Sequence, residues 1–189
     1  LLTPTKIKVW AETLGYGKST GIGFEEAEGL IPSEFWKLDS LKDRWYLGDT
    51  YNLSIGQGYL IVTPLQVTQA TSVFANGGYL CHPELLKVKS PASPAGRQKS
   101  KVKNCKKLPI SQKTLDLVRE GMKQACSPGG TGWPLFDFNP HVGCKTGTAE
   151  SQGKETSPHA WFTIFGPCDN PEIALTVLIE EGGQGSDVA

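Results

Sequence analysis

With 189 residues and a mass of 20.4 kDa, the chain has enough sequence for one domain of ordinary size, or for part of a larger one, and too little for a multidomain machine. Its 19 Lys and Arg balance 19 Asp and Glu, so it lacks the basic excess with which a nucleic-acid binder neutralises phosphates. The 22 Gly and 13 Pro beside 38% hydrophobic residues describe a globular, loop-rich chain.

The first element is a helix from Pro4 to about Leu14, because Ile7, Trp10, Ala11 and Leu14 recur at helical spacing. Thr3 stands as N-cap, Pro4 at the first helical position and Gly15 just past the end. From Gly15 to Asp49 the sequence reads as ordered connection, with Trp36, Trp45 and Tyr46 as packing anchors and a short helix over 33–38. The run from Asp49 to Gly58 reads as turn-forming. It leads to a second cap pair, Thr63-Pro64, which opens a helix to about Ala75 that Gly77-Gly78 ends. Tyr79 to Val88 reads as extended, and 89–107 as an exposed basic loop.

Ser111 caps a further helix, with Leu115, Val118, Met122 and Ala125 on one face, which Pro128-Gly129-Gly130 breaks. The period then changes. Val142–Thr148, His159–Phe165 and Glu172–Glu180 read as strands, and the six-residue link 166–171 suits a hairpin and is too short for a parallel crossover. Ile173, Leu175, Val177 and Ile179 share one face of the last strand, while Ala174, Thr176 and Leu178 line the other, so both faces are expected to be covered. Helices followed by an antiparallel meander make the fold class α+β, helices packed on an antiparallel sheet.

Five cysteines, Cys81, Cys105, Cys126, Cys144 and Cys168, include no C-x-x-C pair and give no zinc signature. At this size the expectation is mostly free thiols rather than a disulfide framework. The longest apolar run, Ile173–Ile179, is seven residues, far short of the ~20 a membrane span needs. Both ends of the sequence look cut, with no initiator Met at Leu1.

Chemistry is concentrated in Lys145-Thr146-Gly147-Thr148, which places one cation, two hydroxyls and a permissive glycine on a strand. At a sheet edge such a strand can pair with an extended peptide, and the cation and hydroxyls can receive a carboxylate. An acyl-peptide site is the reading this supports. Gln57 and Gly58, in a Gly-Gln-Gly turn, are candidates for the border of a cleft, or for a purely structural turn. His159 reads as a hydrogen-bonded strand-start residue, Glu150 as a solvated strand-end charge, and His82 and His141 have no metal-ligand spacing. The run of Arg97, Lys99, Lys101, Lys103, Lys106 and Lys107 reads as a solvated loop.

The motifs continue beyond one tetrapeptide. Gly48-Asp49-Thr50-Tyr51-Asn52-Leu53-Ser54-Ile55-Gly56-Gln57-Gly58, Thr63-Pro64-Leu65-Gln66, Ala75-Asn76-Gly77-Gly78, Gly130-Thr131-Gly132, Lys145 to Glu150 and His159-Ala160-Trp161-Phe162 occur in that order. With them the chain resembles the C-terminal part of the transpeptidase domain of class B penicillin-binding proteins, of the elongation type. The resemblance implies a penicillin-binding/β-lactamase-like transpeptidase fold in which 1–189 is incomplete. Of the three motifs of such enzymes, Ser-x-x-Lys, Ser-x-Asn and Lys-Thr-Gly, only the last is in place. There is no Ser-x-Asn, and the Ser-x-x-Lys matches at Ser100–Lys103 and Ser151–Lys154 fall where no buried helix is expected. The nucleophile-bearing segment is therefore expected upstream.

What the resemblance implies for activity is a D,D-transpeptidase that cross-links peptidoglycan stem peptides by serine acyl transfer and is acylated by β-lactams. In that reading Lys145 and Thr148 are catalytic, Lys145 through electrostatics and proton traffic and Thr148 through an oxyanion-hole N–H. Thr146 and Thr148 hold the terminal carboxylate, and Gly147 allows backbone approach. No metal or organic cofactor is implied. The implied partners are the stem peptide, β-lactam antibiotics, the upstream half of the domain and a SEDS-class glycan polymerase. The implied location is the periplasm or cell exterior, anchored by a segment outside this chain. Two other functions fit the same motif, a β-lactam-sensing receptor domain and a non-catalytic structural fragment.

Overall fold

The computed structural model describes residues 3–85, 104–150 and 156–189. Helix α1 (Pro4–Thr13) starts where the Thr3 hydroxyl accepts the Lys6 N–H and stops at Gly15, whose φ of 101° is costly for any other residue. Its expected apolar face is only half covered, with Trp10 46% exposed. Helix α2 (Glu34–Leu41), capped by Ser33, is longer than expected.

Helix α3 (Leu47–Ser54) corrects the reading of this region as turn. Gly48, Asp49, Thr50 and Asn52 are poor helix formers, but the termini compensate. The Asp49 carboxylate accepts the Tyr46 N–H at 2.7 Å. At the far end the Gly56 N–H bonds the Leu53 carbonyl and the Gln57 N–H bonds the Asn52 carbonyl, a Schellman motif with Gly56 at φ 78°. Lys37 on α2, almost fully buried, ties the pair together by bonding the Asp49 carboxylate at 2.8 Å and lying over the Tyr46 ring. The Asp49 hydrogen bond is the chief reason its ammonium titrates above the usual lysine range.

Helix α4 (Pro64–Ala75) runs as expected from Thr63, with Gln66 completing a capping box. The fully buried Gln66 amide also donates to the carbonyls of Lys18 and Glu28, stapling the 15–32 connection to α4. In that connection the Glu26 carboxylate accepts from the Ser19 and Thr20 hydroxyls and from the N–H groups of Thr20, Gly21 and Ile22. These bonds, the Thr20 and Ser19 hydroxyls foremost, pull its pKa down to about 2.

Strands β1 (Tyr79–Cys81) and β2 (Cys105–Lys107) form a small antiparallel ladder. The basic loop expected over 89–107 therefore ends in a strand at 105–107, because Cys105 pairs with Cys81 in register. The remainder of that loop, including Ser100–Lys103 and most of its cations, lies outside the described residues, as does Ser151–Lys154. Helix α5 (Gln112–Ala125), capped by Ser111, buries Leu115 and leads through the Gly130–Gly132 turn and a single 3-10 turn (Trp133–Leu135) to the main sheet.

That sheet is β3 (Gly143–Ala149), β4 (His159–Gly166) and β5 (Ile173–Ile179), antiparallel throughout and in the order β3-β4-β5. Alternation puts Lys145 and Gly147 on one face with Thr163 and Trp161, and Cys144 and Thr146 on the other with Ile164 and Phe162. Helix α4 covers the first face. The second packs a cluster of Cys126, Val142, Cys144 and Phe162 beneath Leu135 and Ala189, the latter just beyond the short helix α6 (Gly185–Val188). Full coverage of β5 does not hold. Alpha4 shields the face of Thr176, but Ile173 and Leu175 on the other are 67% and 48% exposed because four-residue α6 is too short to reach them.

The expectation of mostly free thiols is also corrected. Cys81 and Cys105 form a disulfide, as do Cys126 and Cys144, leaving Cys168 free. Sequence spacing hides both pairings, since each joins elements that only the fold brings together: β1 to β2, and the end of α5 to β3.

Candidate functional site

Beta3 is an edge strand, and alternation decides which of its backbone groups face outward. The Thr148 carbonyl and the Glu150 N–H both bond the Gln57 side chain, so even-numbered residues present their N–H and C=O away from β4. The open edge thus offers the N–H groups of Thr146 and Thr148. The Lys145 ammonium, exposed at mid-strand, folds over to the Thr146 carbonyl at 2.5 Å. The Thr146 hydroxyl donates to Thr131 Oγ1 at 2.9 Å.

All six residues expected at the site, Gln57, Gly58, Lys145, Thr146, Gly147 and Thr148, line one cavity of about 610 Å³. One wall is β3. The opposite wall is the 55–62 segment that follows α3, and Val67 of α4 forms part of the apolar floor. Gly147 is packed closely against its cross-strand partner: a Cβ there would stand 3.1 Å from the Cβ of Trp161. Gly185 of α6 is tighter still, because a Cβ on it would lie 2.4 Å from the Gly147 carbonyl oxygen. The middle of the Lys-Thr-Gly strand is therefore braced by a backbone, from a terminus whose Gly-Ser sequence carries no signal of that role.

One lining residue has no sequence signal. Tyr16 reaches the cavity from the end of α1, and burial pushes its phenol up to about 12, so it stays a neutral hydrogen-bonding group. Thr131, in the Gly130-Thr131-Gly132 motif, is brought to Thr146 by the turn after α5, a contact across 15 positions that the motif itself does not show. His159 lines the same cavity, but its Nδ1 accepts the Glu181 N–H at 3.0 Å, which fixes the ring to the end of β5. His82 bonds the Thr20 carbonyl through Nδ1, and His141 meets the Ser127 hydroxyl. Among the described residues no group of three His, Cys, Asp or Glu is placed to hold a metal.

What the arrangement can do is receive an extended peptide along β3, offer N–H donors to a developing oxyanion, and present a cation and hydroxyls to a carboxylate. The profile of the penicillin binding protein transpeptidase domain matches residues 1–189. The chain is 34% identical over 208 aligned positions to the peptidoglycan D,D-transpeptidase MrdA of Haemophilus influenzae, covering 97% of this chain and 31% of that protein. The MrdA of Escherichia coli K12 is 31% identical, with the same coverage of both chains. Among solved structures, Pseudomonas aeruginosa PBP2 in complex with WCK 5153 superposes with a TM-score of 0.83 at 31% identity, over 98% of this chain and 40% of that one. Helicobacter pylori PBP2 in its complex with MreC gives 0.81 at 32% identity, over 98% and 34%. The chain thus spans about a third of the length of the curated relatives it matches.

Proposed function

The chain belongs to the penicillin-binding-protein transpeptidase family, and from that membership we propose that it forms one side of a peptidoglycan D,D-transpeptidase active site whose serine nucleophile comes from residues outside these 189. The observation that carries this reading is the shared cavity. Lys145, Thr146, Gly147 and Thr148 share with Gln57 and Gly58 a space of about 610 Å³ with an apolar floor.

The chemistry follows from the placement of the strand. The serine Oγ attacks the carbonyl carbon of the penultimate D-Ala while its proton passes into the network that Lys145 serves. The Thr148 N–H, directed outward, stabilises the oxyanion together with the serine's own N–H. Collapse breaks the amide, the departing D-Ala amine takes the proton, and an acyl ester remains. An amine from a neighbouring stem then attacks the ester, forming the cross-link and restoring the serine hydroxyl. Thr146 and Thr148 hold the donor's terminal carboxylate, and a β-lactam enters by the same contacts. No metal or organic cofactor takes part.

Two disulfides support a location outside the cytoplasm, where thiols are not kept reduced. No helix among the described residues is long and apolar enough to cross a membrane, so an anchor would belong to another segment. Partners follow from relatives: PBP2 of H. pylori is seen with MreC, and another structural relative belongs to a peptidoglycan synthase complex that coordinates polymerization and crosslinking. A SEDS-class polymerase is the partner proposed here.

Fluorescent penicillin tests the reading on this chain alone and on the full-length protein. Acylation of the full-length protein only, followed by transfer to an amine, is the expected result. Stable acylation without transfer would favour a β-lactam sensor, and no acylation of either would leave a structural role.

A further inference from the structure

Gln57 makes contacts that a cleft-border residue does not need. Its Nε2 donates to the Thr148 carbonyl at 3.0 Å and its Oε1 accepts the Glu150 N–H at 3.2 Å. These are the two groups that a neighbouring β-strand would use at that end of β3, so one side chain replaces the last rung of a ladder. The backbone behind that side chain is held as well. Gln57 is the closing residue of the Schellman motif on α3, between Gly56 and Gly58, both at φ 78°. A helix terminus thus aims a fixed amide at the edge of the site strand.

We propose that Gln57 is a positioning residue for the Thr148 peptide. It acts in two ways, both resting on the transpeptidase reading above. By holding the Thr148 carbonyl and the next outward N–H, it fixes the plane of that segment and hence the direction of the Thr148 N–H, the donor assigned to the oxyanion. By occupying the edge at Glu150, it ends strand pairing there, so an acyl peptide can add to β3 only along Thr146 and Thr148. A substrate is thereby held by a short backbone register, and longer pairing toward Glu150 is blocked.

The test uses the full-length protein and a concentration series of fluorescent penicillin, which separates the acylation rate constant from noncovalent affinity. Gln57→Ala is expected to lower the rate constant about tenfold while affinity changes by less than about threefold, because donor direction matters more in the transition state than in the ground state. Gln57→Glu keeps the acceptor for Glu150 but loses the donor to Thr148, and is expected to fall between wild type and Gln57→Ala. If the Ala variant proves unstable, the isosteric Glu variant carries the test by itself. A rate constant unchanged in both, or a loss confined to affinity, overturns the assignment. Lys145→Ala runs in parallel. If it is slow while the Gln57 variants are normal, only the Gln57 inference fails; if it acylates like wild type, the site reading fails and takes the inference with it.

Discussion

Thr71 of α4 and Thr163 of β4 meet hydroxyl to hydroxyl at 3.0 Å, on the face of the sheet that carries Lys145. Thr163 also reaches the Leu175 carbonyl and the Thr176 hydroxyl, so one buried oxygen joins α4, β4 and β5 under the site strand. Thr163→Val should cost about 1–3 kcal/mol, because the methyl replaces a hydroxyl and strands the buried Thr71 oxygen. Denaturant unfolding of the full-length protein measures it. A double variant with Thr71→Val should recover part of the loss, since both polar partners are then gone.

Lys145 is exposed and makes no ion pair among the described residues, so its removal should leave the fold intact. Lys145→Ala should slow acylation of the full-length protein by roughly 10²–10³-fold, the scale for losing one preorganised electrostatic group. Stopped-flow measurement with a chromogenic β-lactam, beside an unchanged circular dichroism spectrum, checks both halves of the statement.

The Cys126–Cys144 bridge closes a loop 18 residues apart in sequence between two fully buried positions. Replacing both by Ala should lower stability by about 3 kcal/mol, the scale of a loop-closing disulfide of this length. Guanidinium unfolding is the measurement, and the Cys81–Cys105 pair offers an internal comparison.

Glu26 supplies a pH signature. Its carboxyl titrates near 4.5 in the unfolded chain and at about 2 when folded, so its contribution is fully present above 4.5 and is lost as the pH falls through that window. Hydrogen-exchange protection factors at the amides of Thr20, Gly21 and Ile22, corrected for the intrinsic rate at each pH, should therefore fall between those two values. Glu26→Gln should show lower protection already at neutral pH and little further change in protection on acidification.

Much of this architecture was legible in the sequence because its signals are local. Thr63-Pro64 ahead of an apolar stripe and Ser111 ahead of another specify α4 and α5 without reference to anything distant. The strands announced themselves by β-branched and aromatic alternation. Helix α3 did not, since it is built from Gly, Asp, Thr and Asn and owes its existence to Asp49 at one end and Gly56 at the other. Lys145, Thr146 and Thr148 could be picked out by residue type, and Gln57 by its place in a turn. What Gln57 touches was invisible, since Thr148 and Glu150 lie 91 and 93 positions away. The same distance problem concealed both disulfides, and the openness of one β5 face depended on the length of α6 rather than on β5 itself.

Gly132 gives the second disulfide a wider reach. A Cβ at this position would stand 2.4 Å from the Cys144 sulfur, so the turn that carries Thr131 rests directly on the bridge. The hydroxyl that bonds Thr146 is thus seated on a covalent link that can be opened by a reducing agent. Protein made in a reducing host would have every residue in place and still leave the Thr131–Thr146 contact without its covalent support.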